Sequence, residues 1–64
     1  MSEAKFMKWV DNGGEWRWNL VSNANGKVIC TSGESFSSKT MCDENIELVR
    51  SYAAEADVHV RDDV

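Results

Sequence analysis

Asn-Gly occurs twice in this chain, at Asn12-Gly13 and Asn25-Gly26, and each pair stands between segments rich in strand-favouring residues. It is among the strongest short hairpin signals, because both residues enter positive φ at little cost. Before the first pair lies Lys5-Phe6-Met7-Lys8-Trp9-Val10. Between the pairs, Glu15-Trp16-Arg17-Trp18-Asn19-Leu20-Val21 alternates with period two, which puts Trp16, Trp18 and Leu20 on one face. After the second pair, Lys27-Val28-Ile29-Cys30-Thr31 reads as a third strand. The first half is therefore expected to be a three-stranded antiparallel meander. Its first register has two solutions. A two-residue turn pairs Val10 with Glu15 and brings Met7 and Trp9 to the tryptophan face. A three-residue loop with a glycine bulge brings Phe6, Lys8 and Val10 there instead. The second turn is expected to set Ile29 beside Leu20.

Helix signals follow the connection Ser32-Gly33-Glu34-Ser35. Ser37 is expected to cap a helix over residues 38–55, with Phe36 stapled to Met41 and with Asp43 and Glu44 near its positive end. Cys42, Ile46, Val49 and Ala53 recur at helical spacing and form its core stripe, flanked by Met41, Leu48 and Tyr52. Asp57-Val58-His59-Val60-Arg61 then alternates again and reads as a short final strand. The expected fold class is α+β, a β-β-β-α-β unit in one domain, with residues 1–4 a flexible start and 62–64 an acidic tail.

A chain of 64 residues buries only about 60% of its unfolded surface, so its stability alone is marginal. Three strands and one helix make a thin core, and a final strand with no obvious place to pair argues for a second copy of the chain. Cys30 and Cys42 do not supply a staple. No Cys-x-x-Cys exists and there is one histidine, so neither a redox motif nor a zinc site is indicated, and both cysteines are expected as small core residues. The first five residues lack a basic-then-apolar leader pattern, and no apolar run approaches the length of a membrane span. The expectation is a cytoplasmic, reduced protein.

The net charge is −4, and it is unevenly placed. Residues 1–32 carry four bases and three acids, whereas residues 33–64 carry three bases and eight acids. This acidity reads as a solvated helix face and tail, and it is compatible with adaptation to high salt. A general nucleic-acid binder needs a basic face to displace counterions, so the balance argues against one.

Trp16-Arg17-Trp18, Leu20, Gly26, Val28-Ile29, Ser32-Gly33-Glu34, Phe36, Ser38-Lys39 and Ile46 together resemble the YegP-like family, short bacterial and archaeal proteins classed as a domain of unknown function. The resemblance runs from about Phe6 to Val60. It implies a β-β-β-α-β unit that, as a single copy, forms a homodimer with exchanged C-terminal strands and a continuous sheet. The chain departs from the family at Lys8, where an apolar residue is common. The family brings no activity, substrate, cofactor or catalytic residue.

No catalytic set can be assembled from the sequence. His59 lies on the last strand beside Asp57 and Arg61, with no nucleophile at motif spacing. Asp43, Glu44 and Glu47 lack a calcium-loop pattern, and Gly13-Gly14 lacks the Gly-Lys-Ser/Thr of a phosphate loop. The expectation is a non-enzymatic protein without metal or cofactor. One constellation has functional interest: Trp9, Trp16 and Trp18 interleaved with Lys5, Lys8, Arg17 and Lys27. Such a sheet can stack unpaired bases, but a chain this small has few other residues with which to build a core. The tryptophans therefore read as core or dimer contacts, and the candidate binding surface is Lys8, Arg17, Asn19 and Lys27. The expected function is a homodimeric binding or protein-interaction module; single-stranded nucleic-acid binding through the sheet is the alternative.

Overall fold

In the computed structural model, which describes residues 3–61, the chain runs β1 (Ala4–Val10), β2 (Trp16–Ser22), β3 (Val28–Thr31) and α1 (Lys39–Ala53). The strands form one antiparallel sheet in the order β1-β2-β3. Ala4, expected in a flexible start, is the first residue of β1 and pairs with Ser22. The acidic tail, residues 62–64, lies outside the described residues.

The first register is the three-residue solution. Val10 faces Trp16, Lys8 faces Trp18 and Phe6 faces Leu20. Asp11 explains the choice. Its backbone N–H donates to the carbonyl of Glu15 at 2.8 Å and its carbonyl accepts from Gly14 N–H at 3.0 Å, while Gly14 sits at φ 81°. A Cβ resists that conformation, so Gly14, and not Asn12-Gly13 alone, sets the loop length. The Asp11 carboxylate also accepts from the N–H groups of Gly13 and Glu15 at 2.9 and 3.0 Å, which closes the loop over itself.

The second register departs from expectation. Leu20 faces Cys30 and Val21 faces Val28, so Ile29 is the extra residue of a β-bulge and does not lie beside Leu20. The loop before it spans Asn23 to Gly26. Ser22 N–H bonds Lys27 O at 2.9 Å, Gly26 N–H bonds Ser22 O at 2.9 Å, and Gly26 takes φ 73°. Continued without a break, the Ser22–Lys27 and Val21–Val28 pairs would set Leu20 beside Ile29; the bulge moves Leu20 on to Cys30.

After β3 the chain returns along β2. Trp16 and Phe36 exchange backbone hydrogen bonds of 2.7 and 2.9 Å, and Ser32 N–H reaches Trp18 O at 3.0 Å. This bridge anchors Phe36 under the helix. Ser38, one residue later than expected, is the N-cap: its backbone is extended and its hydroxyl accepts from Met41 N–H at 3.2 Å. Asp43 and Glu44 consequently fall beyond the first turn.

The helix lies over β2 and closes a core of Trp18, Phe36, Cys42 and Ile46, with Phe6, Trp16, Leu20 and Val49 packed against it. Cys42 has no accessible surface, whereas Cys30 is exposed and is not the core residue expected. The helix does not extend over β3, which leaves Val28 and Ile29 more than half exposed. Ala53, placed at the end of the core stripe, is exposed too, as are Met41, Leu48 and Tyr52.

The final strand does not form within the single chain. Residues 57–61 carry no sheet pairing, and Val58 and Val60 are 95% and 88% exposed.

Candidate binding surface

The register divides the proposed surface residues between two faces. Antiparallel partners share a face. Phe6, Lys8, Val10, Trp16, Trp18 and Leu20 therefore point toward the helix side, and Lys5, Met7, Trp9, Arg17, Asn19 and Val21 point to the other side, which no element among the described residues covers. Arg17 and Asn19 stand next to each other on the uncovered face. Lys8 is on the opposite side, and Lys27 sits in the turn ahead of β3. The four residues do not form one patch.

Lys8 has a structural task. It faces Trp18 on the helix side, where an apolar residue would fit, and its ammonium reaches across to the carboxylate of Asp43. Lys39, one turn before Asp43, binds the other oxygen at 3.0 Å. Lys8 and Lys39 together hold the Asp43 carboxyl below its usual value, and the hydrogen bond to Asp43 raises Lys8. This pair ties β1 to α1, so the departure at position 8 is matched by an acid on the helix. Nearby, burial pushes the Cys42 thiol up, with the adjacent Asp43 adding to it; that sulfur is a protonated core atom.

The tryptophans also separate. Trp18 is 3% exposed, and its indole N–H donates to Asn45 Oδ1 of the helix at 2.8 Å. Its ring meets Phe6 edge-on, with centroids 5.3 Å apart. Trp16 is half-buried at the core edge. Trp9 lies on the uncovered face, 39% exposed, directly across from Arg17. Of the three tryptophans, Trp9 stands outside this chain's own core. Asn45 was invisible to the sequence reading, since an asparagine on a helix carries no signal of the tryptophan it will meet.

Arg17 is held in place by Asp11, whose Oδ2 accepts from Arg17 Nε at 2.7 Å. Arg17 and then the Glu15 and Gly13 N–H groups keep the Asp11 carboxyl below its usual range. Beside this pair, Trp9, Arg17, Asn19, Thr31 and the Ser32–Gly33 turn line an open hollow of about 320 Å³. A second hollow of about 270 Å³ lies between β1 and the helix, floored by Phe6 and Ile46 and rimmed by Lys8, Asp43, Glu47 and Arg50.

Both lowered carboxyls carry a pH signature. A carboxyl lowered in the folded state contributes stability above its unfolded value near 3.8, and that contribution is lost as pH falls through the folded value. Lys8, raised above 10.5, contributes below that value and loses it on further alkalinisation. Burial of the Cys42 thiol adds an alkaline loss that begins where the unfolded thiol ionises, near 9.0. Thermal melts by circular dichroism should therefore hold a plateau from about pH 4 to about pH 9 and fall on either side. Asp11→Asn and Asp43→Asn should each flatten the acid limb; an unchanged limb in both would refute the assignment.

Among the described residues no group of three or more His, Cys, Asp and Glu stands close enough to hold a metal ion, and no helix is long and apolar enough to cross a membrane. His59 is exposed on the C-terminal segment, away from both hollows. The family model of a domain of unknown function, DUF1508, matches residues 11–59. A solution structure determined by NMR, of a protein from Haloferax volcanii, is similar over 95% of this chain and 100% of its own, with 38% sequence identity and a TM-score of 0.85. No curated protein matches.

Proposed function

The chain belongs to the DUF1508 family, the YegP-like family its Trp-Arg-Trp and Ser-Gly-Glu motifs resemble, and from that premise we propose that it works as a non-enzymatic homodimeric binding module with exchanged C-terminal strands. The observation that carries this reading is the C-terminal segment. Val58 and Val60 alternate with polar residues, as in a half-buried strand, and among the described residues none covers them.

The sheet offers an acceptor. The bonds Asp11 N–H to Glu15 O and Asn23 N–H to Glu3 O mark the odd residues of β1 as those bonded to β2. The backbone groups of Ala4, Phe6, Lys8 and Val10 then point to the free edge, because bonding sides alternate along a strand. An edge of seven residues beside an apolar floor of Phe6 and Ile46 suits an added strand whose valines face the helix side. Exchange would bury two valines per chain and pair both segments. The non-enzymatic part is supported by the two hollows, whose linings hold neither the histidine nor either cysteine. A cytoplasmic setting belongs to the same reading, supported by the unbridged thiols of Cys30 and Cys42.

Light scattering at low and at molar salt tests the assembly. A mass near twice 7.2 kDa in both is the expected result. A dimer only in molar salt would tie the acidic second half to a saline environment. A folded monomer in both would sink the exchange.

Single-stranded nucleic-acid binding is the second reading, favoured by Trp9 standing exposed beside Arg17. It predicts that oligonucleotides quench the tryptophan emission, less so as salt rises. Emission unchanged by oligonucleotides would remove it.

A further inference from the structure

On the uncovered sheet face, we propose that the hollow between Trp9 and Thr31 binds a small planar organic anion, its ring against the indole of Trp9 and its single anionic group on the terminal Nη atoms of Arg17. This deepens the reading of that face as a binding surface and rests on it. Three groups there are unspent. Among the described residues Arg17 has no partner but Asp11, which engages Nε and leaves the Nη edge open. The amide of Asn19 and the hydroxyl of Thr31, across from each other on β2 and β3, make no hydrogen bond among the described residues. The Ser32 hydroxyl, by contrast, is already committed to Glu34 O at 2.7 Å. An aromatic wall, a positioned guanidinium and two free polar groups thus meet in one hollow, which is at the small end of ligand sites.

Charge decides the class of ligand. Asp11 beside Arg17 leaves the pair close to neutral, so the guanidinium offers directed hydrogen bonds to one anionic group more than a field for many. A polyanionic strand, whose affinity grows with each phosphate neutralised, finds no second cation in the hollow. A ring bearing one carboxylate or one phosphate fits, with Asn19 and Thr31 placed to read polar substituents on the ring.

The test is titration of the ¹⁵N-labelled full chain, read at the three indole N–H signals and Arg17 Nε–H. The probes are nicotinate and adenosine monophosphate, with nicotinamide as the ring without charge and acetate as the charge without a ring. The expected result is saturable shifts at Trp9 and Arg17 at roughly millimolar nicotinate or nucleotide, with neither control matching them. Whichever of the two binds tighter names the anionic group. Arg17→Gln should weaken binding about tenfold or more. Trp9→Leu and Asn19→Ala, which leave the Asp11 loop intact, should weaken it too. Equal shifts with nicotinamide, shifts that never saturate, or binding confined to oligonucleotides would overturn the proposal. Light scattering on the same samples reads the assembly separately, so a failure of the dimer and a failure of the ligand site are told apart.

Discussion

Trp18→Ala is expected to abolish cooperative folding. Among the described residues Trp18 is one of four that are buried, all four belong to the same cluster, and it alone of them joins the sheet to the helix by a side-chain hydrogen bond. Truncating a buried Trp or Phe to Ala costs about 3–5 kcal/mol. A single core in a chain of this size supplies about 3–5 kcal/mol in all. The two quantities are equal in scale, so the variant has no stability left. Thermal circular dichroism should show a sloping line without a transition. Trp18→Phe keeps an aromatic ring against Phe6 but leaves Asn45 Oδ1 without its donor, and should cost about 1 kcal/mol from the lost bond, with a further loss from the smaller ring. Trp9→Ala, on the uncovered face, should keep a transition close to that of the parent. A cooperative Trp18→Ala melting within a few degrees of the parent would contradict this account of the core.

The contrast between Trp18 and Trp9 marks how far the sequence could be read. Alternation in Glu15–Val21 put Trp16, Trp18 and Leu20 on one face without ambiguity, because period two is a property of the strand itself. Trp9 could not be placed, since its face depends on the loop joining two strands. Asn12-Gly13 pointed to a turn but not to its length, and the decisive contribution came from Asp11 and Gly14 flanking it. The same limit misplaced Ile29: a bulge is one residue of slack, and no local pattern announces it. Helix stripe residues Cys42, Ile46 and Val49 were legible from spacing, while the cap slid from Ser37 to Ser38 because adjacent serines offer the same hydroxyl.

The candidate surface was less legible than the fold. Arg17 and Asn19 share a strand face by period alone, so their proximity followed directly. Lys8 and Lys27 were grouped with them on charge, and charge carries no direction. Position 8 shows why: its parity with Trp18 sends it to the helix side, and Asp43, 35 residues away, turns a misplaced lysine into a tie between elements. Thr31, which completes the hollow with Asn19, needs the bulged register to be seen at all.

Val58→Asp combined with Val60→Asp is expected to raise the dissociation constant of the homodimer by about four orders of magnitude. Fully burying a valine is worth about 1.5 kcal/mol at the low end, and exchange buries two from each chain. Four such residues amount to about 6 kcal/mol, against 1.4 kcal/mol for each tenfold in affinity. Ordering the segment opposes assembly, at about 1–2 kcal/mol for each residue fixed, but parent and variant pay that equally and the difference survives. Both valines bury little against the described part of their own chain, at 95% and 88% exposure, so the substitution leaves its core as it is. The readouts separate assembly from folding. Under conditions where the parent scatters as twice 7.2 kDa, the variant should scatter as one chain. The parent's melting temperature should rise with protein concentration, as mass action requires of a dimer stabilised by its partner, and the variant's should not. Val58→Thr with Val60→Thr, which keeps the β-branched shape and removes only part of the apolar surface, should fall between the two. A double-aspartate variant that keeps the dimer mass would show that the chains associate through some other surface, of which the exposed helix flank Met41, Leu48 and Tyr52 is the next to substitute.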